Sequence, residues 1–104
     1  MSAERKYQRE LIGRIRSRFP GCKVFKNDPL QEQGIPDLLI LHGGRWAMLE
    51  VKMDDSSPTQ PNQAHHVAAY NDMSYAAFIH PGNEEEILND LQSTFGSCGA
   101  ARVS

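Results

Sequence analysis

The sequence predicts an α/β domain in which a central β-sheet is flanked by helices on both faces. Two short apolar runs surround Gly43-Gly44, a pattern typical of a β-hairpin closed by a two-residue turn. Both faces of that hairpin carry apolar residues, so each face needs a covering layer. Segments with apolar residues at helical spacing lie before and after the hairpin and can supply these layers.

The first elements follow in a simple order. A helix is predicted over residues 3–19, where apolar side chains form one stripe and a Pro-Gly pair then ends the helix. A short strand is predicted over residues 22–26, followed by a polar loop. The hairpin comes next, with strands at residues 37–41 and 46–51, so three strands are consecutive in the chain.

The second half of the chain returns to helical periodicity. A second helix is predicted over residues 61–72, because the fixed φ of a proline suits a first helical turn. A fourth strand is predicted over residues 75–79 and a last helix over residues 84–95. We expect residues 1–95 to form a single domain, and residues 96–104, which are small and polar, to form a flexible C-terminal tail.

The hairpin brings three charged groups to one face. If Gly43 and Gly44 are the two loop residues, Asp37 lies directly opposite Glu50, and Lys52 points to the same side two residues later. Directly opposed side chains have Cβ atoms roughly 4.5–5.5 Å apart, so two carboxylates there repel each other. A divalent cation removes this cost, and Mg²⁺ is typically held by one or two carboxylates and several waters. The arrangement therefore predicts a metal site.

Each of these residues also has an ordinary structural explanation. Asp37 can be a turn residue after Pro36, while Glu50 and Lys52 can be an exposed charge pair on an edge strand. The combination is more specific than its parts, because an Asp-x(12)-Glu-x-Lys pattern spans the hairpin and Gly-Ile-Pro directly precedes its aspartate. We therefore favour the metal-site interpretation.

The same residues resemble a known nuclease signature. Gly34-Ile35-Pro36-Asp37 and Leu49-Glu50-Val51-Lys52 are similar to the PD-(D/E)xK motif, and in detail to the VRR-NUC branch, whose stand-alone members occur in phages and bacteria. The similarity runs from about Glu4 to Ile79. It implies a restriction-endonuclease-like αβββαβ core with a mixed sheet. It also implies a metal-dependent phosphodiesterase, similar to Holliday junction resolvases, that works as a homodimer on branched or structured DNA.

The resemblance also implies roles for individual residues. Asp37, Glu50 and the carbonyl of Val51 would bind Mg²⁺, with Mn²⁺ as a substitute, and Lys52 would act in catalysis. The family carries a glutamine just inside the helix that follows the Glu-x-Lys strand, and Gln63, two residues after a proline, matches it as a catalytic residue. The alternatives are that the nearby Gln60 takes this role, or that Gln63 has a plain surface role.

The first helix offers a further metal ligand. On a helical wheel Glu4 falls inside the apolar stripe, whereas Glu10 falls on the opposite face. A carboxylate on a core-facing stripe lies at the rim of the sheet or needs a buried partner such as a metal. Related nucleases use a first-helix glutamate at the metal site, so the resemblance favours Glu4. The alternative is that Glu4 frays with the terminus.

The charge distribution favours a polyanionic partner. The formal net charge is −2, but residues 1–26 carry a balance of +6 and the remainder −8. A basic first helix beside an acidic metal site suits binding of a phosphate backbone. We therefore expect Arg5, Lys6, Arg9 and Lys26 to contact DNA. The alternative is that they are simply the solvated face of an amphipathic helix.

The remaining features argue against several other classes. No apolar run approaches the ~20 residues of a membrane span, and the charged start lacks the apolar core of a signal peptide. Cys22 and Cys98 are far apart, which suggests neither a zinc site nor a disulfide framework. We expect a cytoplasmic protein, in the host cytoplasm if it is phage-encoded. No membrane contact and no organic cofactor are expected.

Together these observations favour a metal-dependent endonuclease. Two alternatives stay open: a non-catalytic nucleic-acid-binding subunit that retains the nuclease fold, and a phosphoesterase that acts on small substrates. The joint presence of Asp37, Glu50 and Lys52 argues against the first. The basic first helix argues against the second, because it favours a polymeric anion.

Overall fold

The computed structural model describes residues 2–54 and 59–103, except for the side chains of residues 97–103. The described residues form three helices and four strands. In chain order these are α1 (Ala3–Arg18), β1 (Lys23–Lys26), β2 (Leu38–His42), β3 (Arg45–Val51), α2 (Pro61–Met73), β4 (Ala76–Ile79) and α3 (Glu84–Val103). The predicted α/β class and the αβββαβ order, followed by a last helix, are confirmed.

The four strands form one mixed sheet in the order β1-β2-β3-β4. The first two pairings are antiparallel and the pairing of β3 with β4 is parallel. In the β2–β3 hairpin His42 pairs with Arg45 and Leu39 with Met48, as the two-residue turn predicted. Gly43 has a φ of 63°, a left-handed conformation that favours glycine, and this explains why the turn is placed there.

One face of the sheet carries the hydrophobic core. Helices α1 and α3 pack on this face and contribute apolar side chains from successive turns. The strand residues of the core are Leu38, Ile40, Ala47, Leu49, Val51 and Ile79, and its helix residues are Tyr7, Leu11, Ile15, Phe19, Ile87, Leu88, Leu91 and Phe95. Because side chains alternate along a strand, the residues between these positions point to the other face.

The described residues cover that other face over only part of its width. Helix α2 packs over β3 and β4, with the Tyr70 ring 6.2 Å from the ring of Trp46. On β1 and β2, Phe25 remains 50% exposed and Leu41 39% exposed. Helices do flank both faces as predicted, but α2 leaves the β1–β2 half of its own face open. We call this surface, made of Phe25, Leu39 and Leu41, the open half-face.

Ion pairs join α1 to the start of α3. The Arg14 guanidinium donates to both carboxylate oxygens of Glu84, at 2.6 and 3.0 Å, and the Tyr7 hydroxyl donates to Glu84 at 2.8 Å. Burial would raise the pKa of Glu84, but the hydrogen bonds from Arg14 and Tyr7 outweigh it and leave that pKa lowered. Arg18 pairs with Glu85 at 3.2 Å. Part of the positive charge of α1 therefore serves the fold.

Two predicted boundaries need correction. The last helix does not end at Phe95 but continues to Val103, through much of the segment expected to be a tail. Its alanines and arginine are good helix formers, and the glycines at positions 96 and 99 do not break it. The flexibility of residues 96–104 stays a prediction. Strand β2 begins at Leu38, so Asp37 lies just before it.

In residues 2–54 and 59–103, no helix is both long and apolar enough to cross a bilayer. Helix α3 has 20 residues, but its first turn alone carries three glutamates.

Leu11 of α1 is fully buried in the core, so its truncation is expected to destabilise the fold. Leu11→Ala should lower the free energy of unfolding by about 2–5 kcal/mol, measured by urea denaturation, because it leaves a cavity between helix and sheet. Met73→Ala is a suitable control, since Met73 is 70% exposed and its loss should change stability by less than about 0.5 kcal/mol. Equal effects of the two variants would contradict the packing of α1 on this face.

Candidate metal centre

The candidate centre lies where β2 begins and β3 ends. Asp37 immediately precedes β2, Glu50 is the second-last residue of β3, and Lys52 follows β3. The hairpin ladder ends with Leu38 paired to Leu49, and its next step places Asp37 beside Glu50. The structure therefore brings together the three residues that the hairpin register predicted.

Asp37 is held by backbone groups on both sides. Its carboxylate oxygen Oδ2 accepts a hydrogen bond from the Val51 N–H at 2.9 Å. Its carbonyl accepts from the Asn27 N–H at 2.8 Å, while the Asn27 amide donates to the carbonyl of Pro36 at 2.9 Å. Burial raises the pKa of Asp37, although the Val51 hydrogen bond and the Lys52 charge oppose the change. The aspartate is thus fixed in orientation and partly withdrawn from water.

Sequence reasoning missed the role of Asn27. It predicted only a polar loop after β1, and an asparagine at a strand end is common in turns. The signal that could have revealed Asn27 is the antiparallel register of β1 and β2, which pairs Lys26 with Leu38 and therefore sets Asn27 beside Asp37.

Glu50 is the only charged side chain that is buried among the described residues, at 3% exposure. Its Oε2 accepts a hydrogen bond from the Gln63 amide at 2.7 Å and lies 3.9 Å from the Lys52 ammonium. Its Oε1 is buried and has no hydrogen-bond partner in the part of the chain that the structure describes. Burial, and then the charge of Asp37, raises the pKa of Glu50 to about 7.

Gln63 connects the other groups of the site. Its Oε1 accepts from the Lys52 ammonium at 3.0 Å and from the Gln60 N–H at 3.1 Å, while its Nε2 donates to Glu50. The hydrogen bond with Gln60 belongs to the N-terminal cap of α2, where Pro61 is the first helical residue. The sequence singled out Gln63 for this region, and the structure places it in contact with both Glu50 and Lys52.

The donor atoms fit a hard divalent cation. A buried carboxylate oxygen without a partner, as in Glu50, costs free energy that a cation would recover. Within the described residues no three acidic, histidine or cysteine side chains form a metal-binding group. Asp37 and Glu50 would supply two carboxylate ligands, the family resemblance implies the Val51 carbonyl as a third, and water or substrate oxygens would complete the shell. This is a usual arrangement for Mg²⁺, which binds few carboxylates and retains waters.

Two solved structures resemble this chain. A VRR_NUC domain protein superposes with a TM-score of 0.64 and 15% sequence identity, over 92% of this chain and 90% of that protein. The chain has the VRR-NUC fold. The other is Archaeoglobus fulgidus Hjc, a Holliday junction resolvase from an archaeal hyperthermophile, with a TM-score of 0.51 and 17% identity, over 73% of this chain and 67% of Hjc.

The resemblance predicted from the sequence motifs is thus confirmed at the level of the fold. No protein-family model and no curated protein matches the chain. The likeness to the two solved structures therefore lies in the arrangement of strands and helices.

Within the VRR-NUC fold of this chain, Glu4 lies on the first turn of α1 and is exposed. Its charge is among those that raise the pKa of Glu50, so it is near enough to act on the centre electrostatically. Glu10 acts instead on Arg14, away from the centre. The structure thus separates the two glutamates as the helical wheel expected, and direct ligation by Glu4 stays a prediction.

The predicted DNA contacts lie on exposed surface. Arg5, Lys6 and Arg9 are exposed on α1, and Lys26 is exposed at the end of β1. The Lys26 charge lowers the pKa of Asp37, which places it beside the centre. These residues differ from Arg14 and Arg18, which pair with α3.

The pKa of Glu50 predicts how stability without metal depends on pH. Since this pKa is raised from 4.5 to about 7, the stabilising contribution of the neutral carboxyl is complete below pH 4.5 and is lost as pH rises through 7. In EDTA, Glu50→Gln should therefore raise the free energy of unfolding by about 1–3 kcal/mol at pH 8 and by little at pH 5. Urea denaturation at both pH values measures the difference.

Glu86→Gln on exposed α3 surface is the control, with no comparable gain at pH 8. If Glu50→Gln changes the free energy of unfolding equally at pH 5 and pH 8, the ionisation of Glu50 does not determine its effect on stability.

Proposed function

We propose that the chain is a metal-dependent endonuclease that hydrolyses DNA phosphodiester bonds with Mg²⁺, or Mn²⁺ as a substitute. The observation that carries this proposal is the buried Glu50 carboxylate, whose Oε1 has no partner within the described residues, next to Asp37 and Lys52. Two carboxylates and a lysine at adjoining strand ends suit hydrolysis of a phosphate ester. The fold shared with a VRR_NUC domain protein is consistent with this chemistry.

The metal ligands in this proposal are Asp37, Glu50 and the Val51 carbonyl, with Glu4 close by on α1. When bound, the cation neutralises charge on the phosphate oxygens and lowers the pKa of a bound water. Asp37 is already oriented by the Val51 N–H, so the ligand needs little rearrangement. Glu50 has to be ionised to bind, which ties metal affinity to pH near neutrality.

Lys52 and Gln63 would act on the attacking water and the phosphate. The Lys52 ammonium is 3.0 Å from Gln63 Oε1 and 3.9 Å from Glu50 Oε2, which holds it at the centre. Lys52 would orient or deprotonate the water, or stabilise charge that develops on the phosphate. Gln63 is neutral and can contact water or phosphate without repelling the substrate. In-line attack would leave a 5′-phosphate, as in related enzymes.

Branched or otherwise structured DNA is the substrate we propose. The chain shares its fold with Hjc, described as a Holliday junction resolvase. We propose that this domain recognises the shape of such DNA more than its base sequence. A homodimer would present two such centres, one for each of the two junction strands that are cut. The enzyme would act in the cytoplasm.

Cleavage assays test the assignment directly. With Mg²⁺ or Mn²⁺ and a panel of linear, flapped and four-way DNA, Asp37→Ala and Lys52→Ala should cut at least about 100-fold more slowly than wild type. EDTA should abolish cleavage. Thermal melts should show that both variants remain folded.

Glu86→Gln is the control and should cut normally, because residue 86 lies on exposed α3 surface. Wild-type rates for Asp37→Ala and Lys52→Ala would contradict the mechanism. Binding without cleavage by the wild type, with either metal, would favour the non-catalytic subunit.

Salt dependence tests the DNA contacts on α1. The triple variant Arg5→Ala, Lys6→Ala, Arg9→Ala should bind DNA more weakly, and the slope of log K against log[salt] should become shallower by roughly one for each phosphate-binding side chain removed. Arg45→Ala is a matched control, because it removes an exposed arginine at the turn end of the hairpin, away from Asp37 and Glu50. An unchanged slope in the triple variant would mean that these side chains are only a solvated helix face.

A further inference from the structure

The open half-face lies on the same side of the sheet as the metal centre. Phe25 pairs with Leu39, and Leu39 pairs with Met48, so these three residues share one face. Glu50 is two residues beyond Met48 on β3 and therefore points to that face as well. Asp37 is two residues from Leu39 on β2, and Glu50 is two residues from Met48 on β3. The line of paired residues through Phe25, Leu39 and Met48 is therefore roughly 7 Å, measured along the strands, from Asp37 and Glu50.

The exposed aromatic ring is unusual for its position. Phe25 lies on a four-residue strand and is 50% exposed, with Leu41, 39% exposed, on the neighbouring strand. Helix α2 covers the same face only over β3 and β4. Phe25, Leu39 and Leu41 adjoin one another beside the candidate centre, and a contiguous apolar patch, unlike a single exposed apolar side chain, is a feature of binding surfaces.

The surroundings of Phe25 are positively charged. Lys23 and Lys26 stand at the two ends of β1 and both are exposed. Lys23 pairs with Leu41 and so shares the face of Phe25, whereas Lys26 pairs with Leu38 and points to the opposite face, at the rim beside Asp37. An aromatic ring with a lysine on the same face is the combination that proteins use to bind single-stranded nucleic acid, since bases stack on the ring and phosphates pair with the lysine.

The size and charge of the surface disfavour a second copy of the chain. Half of a phenylalanine side chain is on the order of 100 Å², whereas a stable protein interface needs ~800 Å² per partner. β1 is also an edge strand with an exposed lysine at each end, Lys23 and Lys26, and lysines on an edge strand oppose its pairing with a strand of another copy. One base is a better match for the exposed ring than a protein partner.

We propose that Phe25 is a stacking platform for an unpaired base of the DNA substrate, within about two nucleotides of the phosphate held at the metal centre. The inference rests on the proposed nuclease function and specifies its substrate class: DNA with unpaired nucleotides beside the cleavage point. Flapped DNA and branch points with a single-stranded arm or gap offer such bases, whereas a continuous duplex and a fully paired four-way junction do not. Phe25 would thereby position the substrate and would take no part in the bond-breaking step.

The test is a binding experiment that does not require cleavage. Wild type and Phe25→Ala are titrated in Ca²⁺ with a flapped DNA and with its fully paired counterpart. The preference of the wild type for flapped over paired DNA should fall roughly 5-fold to 100-fold in Phe25→Ala, the size of effect of one base–aromatic stack. Phe25→Trp should keep the preference, and Phe25→Leu, apolar but without a π-face, should lose most of it.

Direct stacking and folding are measured in parallel. A 2-aminopurine at the unpaired position should be quenched by wild type and much less by Phe25→Ala. Calorimetric titration with Mn²⁺ and a thermal melt establish that the variant retains its fold. Met73→Ala, which removes an exposed apolar side chain at the end of α2, is the matched control and should keep the preference for flapped DNA.

Three outcomes would overturn the inference. The first is a preference for flapped DNA that is unchanged in Phe25→Ala, and the second is full retention in Phe25→Leu, which would mean a plain apolar contact. The third is a change from dimer to monomer in Phe25→Ala by light scattering, which would make the half-face an interface between copies. A wild type that prefers flapped DNA through Phe25 but never cleaves with Mg²⁺ or Mn²⁺ would overturn the nuclease function alone and support the platform.

Discussion

The fold is organised around one buried carboxylate. Glu50 lies within the sheet at 3% exposure, and a buried charge is costly unless it is paired. The structure supplies only part of that pairing, because Lys52 is 3.9 Å away and Asp37 adds a second negative charge. The pKa of Glu50 rises to about 7 because its buried negative charge is only partly compensated. A cation that binds both carboxylates would therefore stabilise the protein as well as equip it for chemistry.

Gln63 makes this arrangement possible because an amide both donates and accepts. Its NH₂ group donates a hydrogen bond to the Glu50 carboxylate, and its oxygen accepts one from the Lys52 ammonium. Both charged groups therefore have a hydrogen-bond partner in the same amide. A glutamate at this position would repel Glu50, and a lysine would repel Lys52. The same oxygen accepts from the Gln60 N–H at the start of α2, and the helix start therefore fixes the amide in place. The helix that covers β3 and β4 is in this way linked to the centre.

The sequence was sufficient to predict those parts of the structure that local backbone geometry determines. A two-residue turn at Gly43-Gly44 leaves only one register, so the proximity of Asp37 to Glu50 could be predicted from spacing alone. Contacts between distant segments were not predictable in this way. Two examples are the hydrogen bond from the Asn27 amide to the Pro36 carbonyl and the ion pair between Arg14 and Glu84 of α3. Both contacts depend on how the helices, strands and loops pack together. The predicted end of α3 was wrong because the small, polar composition of residues 96–104 suggested a frayed tail, whereas its alanines and arginine favour helix.

The half-covered sheet follows from the way the strands are connected. β3 and β4 are parallel, so the chain must cross over between them, and the crossover helix α2 packs on the two strands that it joins. β1, β2 and β3 are antiparallel neighbours joined by a loop and a tight turn, which supply no helix to cover them. The uncovered strands therefore adjoin the strand ends where Asp37 and Glu50 meet. Among the described residues, the mixed topology thus leaves the surface over β1 and β2 beside the centre without a covering helix, and the proposed nucleic-acid substrate would approach over these strands.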